Sequence, residues 1–235
     1  MIRENVMQVH AHIAAACARC GREPSEVTLV AVSKTKPLSM IEECVAAGER
    51  IFGENYVQEL TEKYAQCNAN VTWHMIGHLQ RNKVKYIIDK TALIHSVDSL
   101  RLAAQIESEA AKKELTVDIL LEVNIAEEDS KWGFTAAEAP DAVARIAADC
   151  PHVRVRGFMT SAPYTDTPES NRVHFRRLHA LFTSIQEAPP KAADGNPVCF
   201  DTLSMGMTGD YEVAIEEGAT MVRVGTGIFG ERSYP

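Results

Sequence analysis

Short apolar runs alternate with longer amphipathic segments along nearly the whole chain of 235 residues. The apolar runs have the length and composition of β-strands, whereas the longer segments repeat with the period of an α-helix. We predict strands over 27–33, 50–54, 72–77, 92–97, 116–124, 152–160, 200–206 and 220–227. We predict helices over 2–20, 38–47, 55–67, 79–89, 100–114, 135–149, 168–186 and 209–217. Every predicted strand but the last is therefore followed by a helix.

This alternation predicts a parallel sheet, because each helix carries the chain back to begin the next strand in the same direction. Eight such units favour closure into a (β/α)8 barrel of the TIM type, with the helix over 2–20 as an extra N-terminal element. The length suits one barrel, and we predict a single domain over residues 1–235. The Pro- and Gly-containing segment 186–198 is interpreted as an exposed excursion before the seventh strand.

Charge and cysteine content narrow the classes of function. The net charge of −8 argues against a nucleic-acid-binding surface, which needs a basic face, and against binding to anionic membranes. The six cysteines are sparse and irregularly spaced, as is typical of a reducing compartment. The sequence lacks a signal-peptide pattern, and no apolar run approaches the roughly 18 residues of a membrane span. We therefore expect a cytoplasmic protein.

Polar and small residues collect at the carboxyl ends of the predicted strands, where barrels of this type bind their ligands. They are Lys34, Lys36, Glu54, Asn55, His74, Gly77, His78, Asn124, Lys131, Met159, Thr160, Ser161, Ser204, Met205, Gly206, Gly225, Thr226 and Gly227. The amino ends of the predicted strands carry no comparable cluster of polar residues. This asymmetry indicates a ligand site at one end of the barrel.

Glycine-rich segments follow the last two strands, SMGMTGD at 204–210 and GTGIFG at 225–230. Loops at these positions often bind phosphate through backbone N–H groups, to which glycine gives close access. Closure of the barrel puts the first strand beside the eighth, so Lys34 would lie near that phosphate. Lysine forms Schiff bases with carbonyl groups when an apolar pocket or a nearby cation lowers its pKa, and Lys36 is a candidate for that cation. A phosphate and an aldehyde on one small molecule indicate pyridoxal 5′-phosphate (PLP).

Arg223 shares one face of the eighth strand with Met221 and Gly225. If this face points into the barrel mouth, the guanidinium faces the pyridine nitrogen of PLP and keeps it unprotonated, because arginine only donates hydrogen bonds. Enzymes that use the ring as an electron sink usually place a carboxylate there. An arginine at this position therefore predicts weak catalysis.

Structural roles for the same residues stay open at this point. Lys34 could be a rim lysine with a buried stem, and Lys36 could be a solvated charge. Arg223 could form a salt bridge inside the barrel, and Gly225 and Gly227 could be turn residues.

Two further patterns resemble metal sites. Cys17 and Cys20 form a Cys-x-x-Cys pair, but no second pair accompanies them, so we expect packing or exposure on the first helix. His74 and His78 have the spacing of a helical ligand pair, but they fall on a predicted strand and its end. We predict no metal site.

Several sequence motifs between about residue 5 and residue 232 are highly specific in combination. They are AVSKTKP, FGENYVQE, WHMIGHLQRNK, SVDS, LLEVNIAEEDSKWGF, GFMT and LSMGMTGDYEVAIEEGATMVRVGTGIFGER. In these the chain resembles the pyridoxal phosphate homeostasis protein family, whose members are single-domain PLP-binding barrels similar to the N-terminal domain of alanine racemase. One departure is Thr208, which stands where serine is commoner and keeps the hydroxyl.

The resemblance implies a set of cofactor-binding residues. They are Lys34, Asn55, His74, Met159, Ser204, Arg223, Gly225 and Thr226. It implies that Lys34 forms the Schiff base, that Ser204, Gly225 and Thr226 contact the phosphate, and that the remaining residues line the pocket, with Arg223 at the ring nitrogen. Two lysines match secondary basic positions near the cofactor, Lys36 and Lys131.

The resemblance also implies a role in intracellular PLP homeostasis, through binding, buffering or delivery of PLP, without robust catalysis. PLP-dependent apo-enzymes are the implied partners. Alanine racemase takes a tyrosine base from a second domain and a partner subunit, and this chain has no second domain, so we expect a monomer. Three alternatives stay open: a PLP-dependent amino-acid racemase-like enzyme, a phosphosugar aldolase that uses Lys34, and a module that docks onto PLP enzymes.

Overall fold

The computed structural model of the protein describes residues 1–128 and 132–231. The strands in these ranges are β1 (Thr28–Val32), β2 (Ile51–Glu54), β3 (Thr72–Met75), β4 (Leu93–Val97), β5 (Val117–Glu122), β6 (Val153–Met159), β7 (Thr202–Met207) and β8 (Met221–Val224). The helices are α1 (Ile2–Cys20), α2 (Leu38–Ala46), α3 (Val57–Gln66), α4 (Val84–Ile87), α5 (Leu100–Lys112), α6 (Ala139–Asp149), α7 (Arg172–Glu187), α8 (Tyr211–Glu216) and α9 (Thr226–Phe229). Short 3₁₀ turns precede β1, α4 and α7.

The eight strands form a closed parallel barrel in sequence order. Closure is made by β1 and β8, where Val30 pairs with Arg223 and Ala31 with Val224. Helix α1 packs against α2, α8 and α9 as the additional N-terminal element. The predicted (β/α)8 architecture with an extra first helix is therefore confirmed.

Two apolar layers stabilise this barrel. The larger layer lies between the strands and the surrounding helices and contains large buried side chains such as Phe52, Phe158 and Phe175. A smaller cluster joins Val30, Leu93, Leu120, Met159 and Met221. These residues come from strands that are not all neighbours, so their side chains meet inside the barrel. The inner cluster fills the barrel beneath the carboxyl ends of the strands, where the ligand site is predicted.

The chain differs from the predicted elements at one helix and at the last strand. The helix predicted over 79–89 is a single 3₁₀ turn followed by the four-residue helix α4, because the apolar residues that cover the barrel there, Val84, Ile87 and Ile88, span little more than one turn. The eighth strand, predicted over 220–227, ends at Val224, and α9 follows it. Every strand, including the last, thus leads toward a helix.

Strand β7 also ends later than predicted. Ser204 pairs with Met221, and Met207 with Arg223, so three steps along β7 match two along β8. This bulge contains Gly206, whose φ of 93° favours glycine and whose Cβ would lie 2.6 Å from the Cβ of Ala214. The residues that follow the strand are therefore Thr208 and Gly209 rather than those around Ser204.

A search for membrane-spanning segments covered the residues that the structure describes. None of the helices in that part of the chain is long and apolar enough to cross a membrane.

Candidate functional site

A cavity of about 420 Å³ opens at the carboxyl ends of the strands, within the range of about 300–1,000 Å³ that is typical of small-molecule sites. Predicted site residues that line it are Lys34, Asn55, Arg223, Gly225 and Thr226. Lining residues that were not predicted as cofactor-binding include Ile76, Tyr164, Asn171, Met207, Thr208 and Asp210. The first strand and the last two therefore meet at one cavity, as closure of the barrel predicts.

Three other predicted site residues lie deeper in the barrel. Ser204 is fully buried, and His74 and Met159 are nearly so. Met159 belongs to the inner apolar cluster beneath the cavity. None of the three lines the cavity wall, and β7 continues for three residues beyond Ser204. They form a supporting layer below the residues that face the cavity.

A chain of hydrogen bonds runs through this layer. Arg223 Nη1 donates to Ser204 Oγ at 2.7 Å, Ser204 Oγ lies 3.0 Å from His95 Nδ1, and His95 Nε2 lies 3.0 Å from His74 Nδ1. Because arginine can only donate, the serine hydroxyl accepts from it. The hydroxyl also has one hydrogen and a second lone pair, so it fits either neutral tautomer of His95. With the His95 hydrogen on Nε2, Ser204 donates to Nδ1, Nε2 donates to His74, and all three bonds run in one direction from Arg223 into the barrel.

Burial keeps both imidazoles in this chain neutral. Desolvation lowers the pKa of His74 to about 4. Desolvation, together with the neighbouring His74 and Arg223, holds the pKa of His95 well below its usual range. Two neutral rings can alternate donor and acceptor along the chain, whereas protonated rings would both donate. Two neutral rings therefore fit the observed contacts.

Arg223 is the charged end of the chain. Its guanidinium also donates from Nη2 to the carbonyl oxygen of Thr160 at 2.8 Å, and the residue is 4% exposed. Burial lowers the pKa of Arg223 to about 10, and the carboxylates of Glu122 and Asp210 oppose that shift. The side chain therefore keeps its charge at neutral pH. It presents a fixed cationic donor to the cavity.

Thr208 connects the two glycine-rich segments. Its Oγ1 accepts hydrogen bonds from the backbone N–H groups of Gly225 and Gly227, each at 3.3 Å. These donors converge on one oxygen atom at the cavity wall. The predicted phosphate-binding segments are thus adjacent, but the hydroxyl that joins them belongs to Thr208 and not to Ser204. The glycine bulge that moves Thr208 to this position depends on strand pairing, which local sequence patterns do not report.

Asp210 fixes the loop that carries Thr208. Its Oδ1 accepts from the backbone N–H of Met207 at 2.7 Å, and its Oδ2 accepts from Asn171 Nδ2 at 2.8 Å. Asn171 also donates to the carbonyl oxygen of Pro163 at 2.9 Å. These bonds tie the loop after β7 to the loop after β6. In the sequence, Asp210 falls at the second residue of the helix predicted over 209–217, and that position does not indicate these contacts.

Lys36 contacts the carboxyl end of α9 rather than the cavity. Its Nζ donates to the carbonyl oxygens of Phe229 and Gly230 at 3.2 Å and of Glu231 at 2.8 Å. A cation is favourable at the carboxyl end of a helix, where carbonyl groups lack helical partners. Lys36 thus anchors the helix that begins at Thr226. The other predicted secondary lysine, Lys131, lies outside the described residues.

The paired patterns noted in the sequence make other contacts. His78 lies 3.1 Å from Asp98 and stacks on Trp132. Cys17 is buried in the larger apolar layer, and Cys20 packs against that layer. Over residues 1–128 and 132–231 there is no group of three or more side chains that could hold a metal ion.

Replacement of Ser204 tests the buried chain. Ser204→Ala removes the group that bridges Arg223 and His95, so both lose a partner where water cannot easily replace it. We expect the free energy of unfolding to fall by about 1–3 kcal/mol. Urea denaturation measures the change against Ser184→Ala, which removes an exposed hydroxyl on α7. Equal stability of the two variants would contradict the importance of the chain.

Comparison with known proteins identifies relatives of this chain. Residues 4–233 match the family model described as alanine racemase, N-terminal domain. The chain is 41% identical over 232 residues to the pyridoxal phosphate homeostasis protein of Aquifex aeolicus, covering 98% of each chain. It is 40% identical over 241 aligned residues to the protein of that name from Escherichia coli K12, covering 99% of this chain and 97% of the other.

A solved structure gives the same relationship. PipY of Synechococcus elongatus, with PLP bound, matches with a TM-score of 0.79 at 32% identity, covering 98% of this chain and 100% of that one. The chain therefore belongs to the pyridoxal phosphate homeostasis protein family, whose fold is that of the alanine racemase N-terminal domain.

Proposed function

We propose that this chain binds PLP in the cavity at the end of the barrel and serves in PLP homeostasis. The observation that carries the proposal is the convergence on one cavity of a lysine, a cationic donor and a set of hydroxyl and backbone donors. Two of the relatives are named pyridoxal phosphate homeostasis proteins, and PipY is described with PLP bound. The chain would act as one domain and one subunit.

The residues fit the three chemical features of PLP. The N–H groups of Gly225 and Gly227 meet at Thr208 Oγ1 through long bonds of 3.3 Å, and a phosphate oxygen at this wall would share these donors with the Thr208 hydroxyl. Lys34 supplies an amine for the aldehyde, forming a carbon–nitrogen double bond with loss of water. Arg223 supplies the donor for the ring nitrogen. A side chain at Gly225 would press against Val32 at 3.3 Å, so glycine also keeps the wall open.

PLP, when bound, would supply an electron-withdrawing ring. The residues around it favour binding of PLP over catalysis. Arg223 stands where a carboxylate would strengthen that ring as an electron sink. Among described residues of the cavity wall, Tyr164 and Asp210 are the other candidates for proton transfer. Tyr164 is 94% exposed, and both carboxylate oxygens of Asp210 already accept hydrogen bonds. The proposed role is therefore binding, buffering or delivery of PLP to apo-enzymes.

The phosphate end of the proposal has a direct test. Thr208→Ala removes one oxygen from the wall and loosens the contact between the two loops. We expect the Kd for PLP to rise about 10- to 100-fold, as for loss of a hydrogen bond to a charged group. The Kd for pyridoxal, which has no phosphate, should change less than about threefold. Spectral titration of both ligands measures this, with Thr208→Ser as the control that keeps the hydroxyl.

Equal losses for PLP and pyridoxal would contradict a phosphate role for this wall. A wild-type protein that takes up neither ligand would overturn the proposed function. Exchange of an amino-acid α-proton for deuterium, at rates typical of enzymes and dependent on Lys34, would replace the holding role by catalysis.

A further inference from the structure

The backbone beside Lys34 has an unusual conformation. Thr35 has a φ of 62°, a value that glycine or asparagine normally supplies and that a β-branched residue disfavours. Ser33–Lys36 form a tight turn, closed by the Lys36 N–H and the Ser33 carbonyl oxygen at 3.0 Å. Lys34 and Thr35 are the central residues of this turn. Contacts from elsewhere must therefore hold it in place.

Those contacts come from helix α3. On one side of Lys34, Lys63 Nζ donates to the carbonyl oxygen of Ser33 at 2.7 Å. On the other side, the backbone N–H of Thr35 donates to Glu59 Oε1 at 2.6 Å. The two peptide groups that flank Lys34 are thus each bonded to a charged side chain, and the two side chains lie one helical turn apart on α3.

The charged side chains bind one another as well. Lys63 Nζ lies 2.7 Å from Glu54 Oε1 and 2.7 Å from Glu59 Oε1. With the Ser33 carbonyl, these oxygens give the three protons of the ammonium group three acceptors. The Ser33 hydroxyl also donates to Glu54 Oε1 at 2.6 Å. Glu54 is fully buried and the Lys63 side chain is 9% exposed, so this pair is shielded from water, whereas Glu59 lies nearer the surface.

The cluster does not face the ligand cavity. Lys63, Glu54 and Glu59 are absent from the residues that line the cavity, whereas Lys34 lines it. The cluster is therefore linked to Lys34 through the backbone of the turn. A buried ion pair is a weak source of net stability, because desolvation offsets much of the attraction. The hydrogen bonds that the cluster makes to Ser33 and Thr35 instead suit it to orient the backbone of the turn.

We propose that Lys63 and Glu59 are positioning residues that hold the Ser33–Lys36 turn so that the amine of Lys34 meets the aldehyde of PLP. The inference rests on the proposed function and extends it. Without the two bonds, the turn relaxes from the strained conformation at Thr35, and the Lys34 amine samples orientations outside the reactive one. Capture of the aldehyde then slows, while the phosphate wall on β7 and β8 stays intact.

The test separates the chemistry of Lys34 from general binding. Glu59→Ala removes the acceptor for Thr35 but leaves the buried Lys63–Glu54 pair. Lys63→Met removes the donor to Ser33 together with the ion pairs to Glu54 and Glu59. Glu59→Gln keeps an oxygen for Thr35 and is the conservative variant, and Glu62→Ala is the matched control on the exposed face of α3. The rate constant for PLP capture is measured by stopped-flow absorbance. Binding of pyridoxine 5′-phosphate, which lacks the aldehyde, is measured by calorimetry.

We expect Glu59→Ala to slow PLP capture at least tenfold and to leave the Kd for pyridoxine 5′-phosphate within threefold of wild type. Glu59→Gln should restore capture to within threefold, and Glu62→Ala should match wild type. If Lys63→Met fails to fold, Glu59→Ala decides the question. Capture by Glu59→Ala at the wild-type rate would overturn the inference, and so would an equal loss of affinity for pyridoxine 5′-phosphate. A wild-type protein that binds pyridoxine 5′-phosphate but captures no PLP would instead overturn the proposed function.

Discussion

Lys34→Ala is expected to abolish covalent capture of PLP and to leave the barrel folded. Lys34 lines the cavity, and its amine is the group assigned to the aldehyde. The bonds that hold its turn involve the backbone at Ser33, Thr35 and Lys36, which alanine at position 34 preserves. We expect the free energy of unfolding to change by less than about 1 kcal/mol. Borohydride reduction followed by intact-mass measurement shows capture, and circular dichroism shows the fold.

The matched control is Lys85→Ala, which removes an exposed lysine on α4. This variant should take up one pyridoxyl group per chain, as the wild type does. An undiminished adduct in Lys34→Ala would show that another amine reacts. A Lys34→Ala protein that does not fold would show that this lysine is structural.

Gly157→Ala is expected to have the largest effect on stability. A Cβ at this position would lie 1.7 Å from the carbonyl oxygen of Thr202, far inside van der Waals contact. Gly157 pairs with Thr202 across β6 and β7, so the clash involves backbone atoms that can separate only by opening the barrel. Its φ of 155° also favours glycine. We expect a loss of about 4 kcal/mol or more in the free energy of unfolding, which is exceptional for one substitution.

Gly21→Ala is the control for backbone strain without a clash. Gly21 ends α1 in the left-handed conformation, and a Cβ at this position would have no atom within 4 Å. The expected loss is about 1–2 kcal/mol, the usual penalty of a left-handed alanine. Urea denaturation compares the two variants. Similar losses at Gly157 and Gly21 would show that β6 and β7 can separate without cost.

The architecture was predictable because each strand and helix has a local pattern. Alternation of short apolar runs with helical segments gave the eight units, and closure of the barrel follows from their number. The period of a strand put Arg223 and Gly225 on one face, and both residues line the cavity. These features need only periodicity and order along the chain.

The unpredicted parts of the site depend on contacts between distant segments. Thr208 faces the cavity because β7 bulges against β8, and a bulge is a property of two paired strands. Lys36 binds carbonyl groups that lie more than 190 residues further along the chain. His95, in a strand that reads as apolar, is the fully buried link between Ser204 and His74. No pattern within a single segment reports such partners.

Covalent capture of PLP by one particular lysine is decided by peptide mapping of the wild-type protein after incubation with PLP and reduction by borohydride. We expect one pyridoxyl group, located on the peptide that contains Lys34. Labels spread over exposed lysines, or a protein that takes up no label, would contradict the assignment of this cavity as a PLP site.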